Sequence, residues 1–227
     1  WTNQQGQSPF VWGVLGGISQ VTADLHLVTG VTCPTIRTHP GIIAQAAATA
    51  ASMMPGRFSL GLGSGENLNE HVFGDPWPPA PIRIEMLEEA IEVIRLLWKG
   101  GMQDHYGSFY TLENAQIFSL PDELPPIYIA SEGPISASLA ARAGDGFINP
   151  GSDAEKNLII FRDSGGGDKP AYIDISVCWA ETEEEGRTTA YEQWPIAANE
   201  GELNRLLPTP THYEQVAKMV TPENVAE

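Results

Sequence analysis

The chain has 227 residues, 29 of them acidic and 12 basic, for a formal charge of −17. Apolar residues make up 42%, enough to fill a core, which excludes a wholly disordered chain. The acidic excess argues against sequence-independent nucleic-acid binding, which needs Lys and Arg to displace counterions from phosphate, and against anionic membrane surfaces.

Apolar runs alternate with helical patterns along the chain. Ser8-Pro9 predicts a helix start, a capping hydroxyl followed by Pro at the first helical position. Val11, Val14, Leu15, Ile18 and Val21 follow at helical spacing. Residues 25–31 (LHLVTGV) have a buried-strand pattern. Pro40 opens an Ala-rich helix that Pro55 must stop. Residues 58–62 (FSLGL) form the next strand, ending in a Gly-rich turn. Residues 71–81 are a Pro-rich loop. Ile84, Leu87, Ile91, Ile94 and Trp98 make one face of a helix over 82–99. That helix could pack on a second subunit, giving a homodimer, or equally cover the sheet.

Strands follow at 127–130 (IYIA), 146–149 (GFIN) and 173–180 (IDISVCWA). Helices are expected over 135–143, 154–162, 183–198 and 212–219. This alternation implies βα units and a parallel sheet, either doubly wound or a (β/α)8 barrel. In both, chemistry sits beyond the carboxyl ends of the strands. No apolar run approaches the ~20 residues of a membrane span. Cys33 and Cys178 form no CxxC pair, so a reducing, cytoplasmic setting is expected. No metal-ligand pattern is present, and no metal is expected.

The strongest local feature is residues 61–70 (GLGSGENLNE). Its glycines could let backbone approach a cofactor. It is neither a P-loop nor a good dinucleotide fingerprint, because a Pro-rich loop intervenes before the next regular helix. Glu66, just beyond a strand end, could exchange a proton if desolvated; a solvated loop carboxylate is the simpler reading. Asn69 could bind a ligand or cap the loop, and His71 is an alternative acid/base. His26 reads as a structural strand residue and His39 as a helix-start residue. Cys33-Pro34 could line a pocket, although such a Cys is more often a small buried hydrophobe. The turn Ser131-Glu132-Gly133-Pro134 joins a strand to a helix whose N-terminus could hold a phosphate. Trp1, Trp12, Trp77 and Trp179 could stack on a planar cofactor, though most Trp are packing residues.

Together these segments resemble the luciferase-like flavin and deazaflavin oxidoreductases, in particular the coenzyme F420-dependent branch that includes the F420-dependent glucose-6-phosphate dehydrogenases. Residues 29–45 (TGVTCPTIRTHPGIIAQ), 55–70 (PGRFSLGLGSGENLNE), 127–134 (IYIASEGP) and 141–147 (ARAGDGF) carry the resemblance. It is collinear over residues 1–180. It implies a (β/α)8 TIM barrel that binds F420 at its C-terminal face, with FMN the alternative cofactor. The chain would be one incomplete barrel domain over 1–227, lacking its first two strands and last βα unit, with an insertion-like helical region at 181–220.

By resemblance, Glu66 matches the family's catalytic glutamate and Trp1 its active-site Trp. Ser64, Gly65 and Asn69 match cofactor contacts. The backbone at Gly30-Val31 matches a bulge against the ring, often with a non-proline cis peptide, and Cys33 stands where the sugar-phosphate enzymes have Thr. Ser131, Glu132 and Gly133 match the loop usually written Ala-Gly-Gly; Glu132 departs from it and would repel an anionic cofactor tail unless it points away. Pro150 and Asp153 stand where the sugar-phosphate enzymes have Thr and Lys. The expected activity is hydride transfer between the deazaflavin and a small, non-phosphorylated alcohol, carbonyl or activated C=C substrate. The alternatives are an FMN-dependent monooxygenase and a non-catalytic deazaflavin-binding protein.

Overall fold

The computed structural model describes residues 8–149, 151, 153–199 and 201–225. In chain order it holds α1 (Val11–Val21), β1 (Leu27–Val28), α2 (Pro40–Met53), β2 (Phe58–Leu62), α3 (Asn67–Glu70), α4 (Ala80–Leu97), β3 (Gln103–Tyr106) and β4 (Thr111–Ala115). There follow β5 (Ile127–Ala130), α5 (Pro134–Ala143), β6 (Gly146–Asn149), α6 (Ala154–Phe161), β7 (Ala171–Ile173), α7 (Glu183–Gln193), α8 (Leu203–Leu206) and α9 (Pro210–Ala217). Two compact units emerge. The larger takes in Pro9–Gly65 and Pro78–Asp174; the smaller takes in Glu66–Trp77 and the chain from Ile175 onward.

The larger unit is built on a five-stranded sheet in the order β1-β2-β5-β6-β7, parallel at every pairing. This is the parallel α/β arrangement that the alternating pattern implies. The register pairs Leu60 with Ile127, Leu62 with Ile129 and Ile129 with Phe147. Partners in register share a face, so these apolar side chains form one continuous layer, fully buried. The small side chains of Ala44, Ala47 and Ala48 let α2 pack closely with α4, which buries Leu87, Ile91 and Ile94. Trp98 donates its indole N–H to the Ala44 carbonyl at 3.0 Å. Arg95 reaches Asp145 Oδ2 at 2.9 Å, and that oxygen also accepts the Ile127 N–H at 2.8 Å. The apolar stripe of α4 is therefore consumed inside its own unit.

Several elements differ from the sequence expectation. The first helix starts at Val11, not Pro9: Phe10 stays extended, and its carbonyl accepts from Gly13 and Val14. The strand expected over 25–31 is only Leu27–Val28, with His26 exposed before it. The Thr29 hydroxyl replaces its ladder, donating to the Gly61 carbonyl and accepting the Gly61 N–H, both at 2.9 Å. The antiparallel β3–β4 hairpin was not expected. Its reverse turn is held by Glu89 of α4, which accepts the Ser108, Phe109 and Tyr110 N–H groups at 2.8–3.2 Å. A Cβ on Gly107 would lie 1.9 Å from the Glu89 carboxylate, so any larger residue there would push that carboxylate off the turn it holds.

The last strand is shifted to Ala171–Ile173, where Asn149 of β6 ends the ladder at Ile173. Beyond it Ile175, Val177 and Trp179 are exposed. The helix expected over 183–198 stops at Gln193, because Pro195 disfavours helical backbone at Trp194. A 3-10 turn continues over Pro195–Ala198.

The smaller unit is helical. Asn67 of α3 donates its side-chain amide to the Leu206 carbonyl of α8 at 2.9 Å. The Tyr213 hydroxyl of α9 donates to the Asn204 carbonyl, and Asn204 donates to the Ile196 carbonyl at 3.1 Å. Leu68 and Tyr213 are buried. Among the described residues, no helix is long and apolar enough to cross a membrane.

Candidate active site

In a parallel sheet all strands end on the same edge. The loops after β1, β2, β5 and β6 therefore leave the larger unit together. They carry most of the expected site residues: Gly30, Val31 and Cys33; Ser64 and Gly65; Ser131, Glu132 and Gly133.

The first two loops are bound to each other. Thr32 donates its N–H to the Gly61 carbonyl at 2.8 Å, and Gly63 donates to the Thr32 carbonyl at 3.0 Å. The Gly30–Val31 peptide is cis, as the resemblance implies for this bulge. Two glycines permit the close approach. A Cβ on Gly61 would lie 1.9 Å from the Thr29 carbonyl oxygen, and one on Gly63 would lie 2.6 Å from Val31 Cγ2. Gly30 is different: among the described residues, nothing stands within 4 Å of where its Cβ would be. Gly65 sits at φ +81°, a conformation that favours glycine. Cys33 is half-buried, its Sγ 3.0 Å from Thr35 Oγ1.

The loop after β5 is anchored to β6. Ser131 is buried and donates its N–H to the Ile148 carbonyl at 2.8 Å. Its hydroxyl lies 3.0 Å from Ser136 Oγ at the start of α5. Glu132 is half-buried and engaged in an interaction of its own. Gly133 likewise has nothing among the described residues within 4 Å of its Cβ direction. Asp153 is exposed, with φ +53°, just before α6, and Lys156 is exposed within it. Pro150 and Trp1 lie outside the described residues.

Glu66 follows Gly65 in sequence and opens the smaller unit. It sits in extended backbone (φ −131°, ψ 143°), and its carbonyl accepts the Asn69 and Glu70 N–H groups at 3.0 and 3.1 Å. A one-turn helix thus begins directly after the Gly-rich segment, ahead of the Pro-rich loop that was expected to precede the next helix. The missed signal is Asn67 and Asn69, a residue type that favours helix starts and turns. That turn brings Asn69 Nδ2 to 3.1 Å from Glu66 Oε2. Asn69 Oδ1 is buried without a hydrogen-bond partner among the described residues.

Burial pushes the Glu66 carboxyl above the ordinary carboxylate range; the Arg205 guanidinium opposes this, and Glu70 adds to it. Tyr213 is pushed up to about 12 by burial and by the Glu66 charge. The smaller unit therefore gathers Glu66, Asn69, Arg205 and Tyr213 into one electrostatic cluster; the last two come from a region where the resemblance ends. A carboxyl so placed can hold a proton closer to neutral pH than a free Glu. His71 is less suited to that role, because its Nδ1 is taken up by the Asn67 carbonyl. His39 caps α2, accepting the Gly41 N–H at 3.0 Å. Trp12 packs edge-on against Phe58 at 6.2 Å, the ordinary packing role.

The luciferase-like monooxygenase family matches residues 1–226. The chain is 42% identical over 148 residues to an F420-dependent glucose-6-phosphate dehydrogenase of Beutenbergia cavernae, covering 65% of this chain and 44% of that protein. It is 40% identical over 153 residues to an F420-dependent hydroxymycolic acid dehydrogenase of Mycobacterium tuberculosis, covering 67% and 42%. Among solved structures, an F420-dependent secondary alcohol dehydrogenase in complex with an F420–acetone adduct superposes with a TM-score of 0.89 at 26% identity, covering 97% of this chain and 70% of that one. The chain spans less than half the length of these two curated relatives.

Proposed function

We propose that this chain, which belongs to the luciferase-like monooxygenase family, is part of an F420-dependent oxidoreductase acting on a small, non-phosphorylated alcohol or carbonyl compound. The observation that carries the reading is the pair of glycines facing open space beyond the strand ends, Gly30 and Gly133. A planar ring needs close backbone approach, and Gly30, which carries no side chain, would allow it beside the Val31 side chain. An anionic tail needs backbone approach at a strand-to-helix turn, and the loop Ser131–Gly133 offers that before α5. The residues present thus fit a deazaflavin. The names of the relatives support F420 over FMN. When bound, the deazaflavin supplies hydride transfer to or from a substrate carbon.

The chain's own residues supply the rest. Gly30, Val31 and Cys33 would line the ring, with Ser64, Gly65 and Asn69 as further cofactor contacts. Ser131, Glu132 and Gly133 would meet the tail, with the Glu132 carboxyl turned away from it. Glu66 would hold or release the proton that accompanies hydride transfer, its raised affinity for that proton coming from burial. Asn69, bonded to Glu66 Oε2, would fix which carboxyl oxygen is free to act. Trp1 is assigned to shaping the substrate pocket by resemblance alone. We read the chain as one barrel-type domain with a helical insertion.

The relatives' names point to glucose 6-phosphate, hydroxymycolic acid and a secondary alcohol. Asp153 favours a substrate without phosphate. A carboxylate where the sugar-phosphate enzymes carry Lys removes a cationic partner and adds repulsion. Steady-state assays with F420 test this: a neutral secondary alcohol is expected to be turned over and glucose 6-phosphate to be poor. Efficient turnover of glucose 6-phosphate would overturn the substrate assignment.

A further inference from the structure

Asn149 is the last residue of β6 and has no exposed surface. A buried amide must satisfy both of its ends or incur a desolvation cost. Its Nδ2 donates to the Ser131 carbonyl at 2.9 Å, and its Oδ1 accepts the Gly151 N–H at 2.9 Å. Its backbone carbonyl accepts the Asp174 N–H at 2.9 Å. Ser131 is held from the same strand at its other backbone group, since its N–H goes to the Ile148 carbonyl at 2.8 Å. Both main-chain polar groups of Ser131 are thus committed to the end of β6. Everything after Ser131 leaves the sheet in an orientation that β6 dictates.

We infer that Asn149 is a positioning residue that fixes the Ser131–Gly133 loop for the anionic tail of the cofactor, through its amide bond to the Ser131 carbonyl. The inference rests on the reading of that loop as the tail site. Only an amide does both jobs at this position. Asp could still accept the Gly151 N–H, but it would turn a carboxylate onto the Ser131 carbonyl and place a negative charge near an anion. Ala leaves the Ser131 carbonyl and the Gly151 N–H without these partners. Gly133, with nothing standing before its Cβ direction, would let loop and tail approach once the loop's exit is set.

The test compares F420 with the same deazaflavin chromophore lacking its phosphate-bearing tail, by fluorescence titration of wild type and Asn149→Ala. The Ala variant is expected to lose about tenfold in F420 affinity, while its affinity for the tail-less chromophore stays within about twofold. Amide hydrogen exchange at residues 131–133 should quicken in parallel, a readout independent of turnover. Asn149→Ser keeps a donor at shorter reach and gives a second variant if Asn149→Ala does not fold; it should lose the same preference in part. If wild type prefers F420 and both variants keep that preference in full, the role of Asn149 is wrong. If wild type shows no preference for the tailed form, the tail-site reading falls and takes this assignment with it.

Discussion

Asn69 donates a side-chain hydrogen bond to Glu66 Oε2 at 3.1 Å, three residues on from the carboxyl it serves. The bond joins the first and fourth residues of one short turn, so it follows from local backbone geometry. It occupies one carboxyl oxygen and leaves the other to act. Glu66→Gln is therefore expected to cut turnover by about a hundredfold or more while cofactor affinity changes little. Measuring kcat and the F420 dissociation constant separately checks this; an unchanged kcat removes Glu66 from the mechanism.

The same burial has a consequence for stability. Burial raises the Glu66 carboxyl above its unfolded value, so the folded state holds the proton more tightly. The associated stability is fully present below the unfolded carboxyl range and is lost as pH rises through the raised folded value. Glu66→Gln should thus be more stable than wild type at neutral pH, with the advantage vanishing in acid. Thermal midpoints across pH test the sign, and a variant less stable at neutral pH would contradict it.

Arg205 opposes the upward push on Glu66. Removing that cation should move the carboxyl further from its ordinary value. Arg205→Gln is expected to shift the Glu66-dependent limb of the kcat profile to higher pH. A shift to lower pH, or none, would show that Arg205 does not act on Glu66.

Gly30 and Gly61 look alike in sequence but not in space. A Cβ on Gly61 would meet the Thr29 carbonyl oxygen at 1.9 Å, whereas Gly30 has open space before it. Gly61→Ala should therefore destabilise the fold by about 2 kcal/mol or more. Gly30→Ala should fold normally and bind the deazaflavin more weakly. Paired thermal melts and F420 titrations separate the two effects; a Gly30→Ala variant that binds as tightly as wild type would remove Gly30 from the ring site.

Much of the larger unit was legible because its signals are local. The apolar runs at 58–62, 127–130 and 146–149 became strands with those bounds, since buried parallel strands are continuous apolar segments. The helix around Leu87, Ile91 and Ile94 showed its buried stripe directly. Illegible features were those decided by distant partners. The β3–β4 hairpin depends on Glu89, which lies on a helix before it. The early end of β1 depends on Thr29 bonding to Gly61, 32 residues away. Ile175, Val177 and Trp179 alternate as a strand would, yet β7 ends before them, its last pairing among the described residues being Ile173 with Asn149. At the site, Glu66 was named from its motif, whereas Arg205 and Tyr213 come from far along the chain and carry no motif.

The proposed hydride transfer by a deazaflavin can be observed directly. The most direct measurement is to titrate the purified protein with F420 and with FMN, then add a neutral secondary alcohol and follow the deazaflavin absorbance. The expected result is tighter binding of F420, followed by bleaching on addition of alcohol that Glu66→Gln slows. Tight FMN binding with no affinity for F420 would contradict the account.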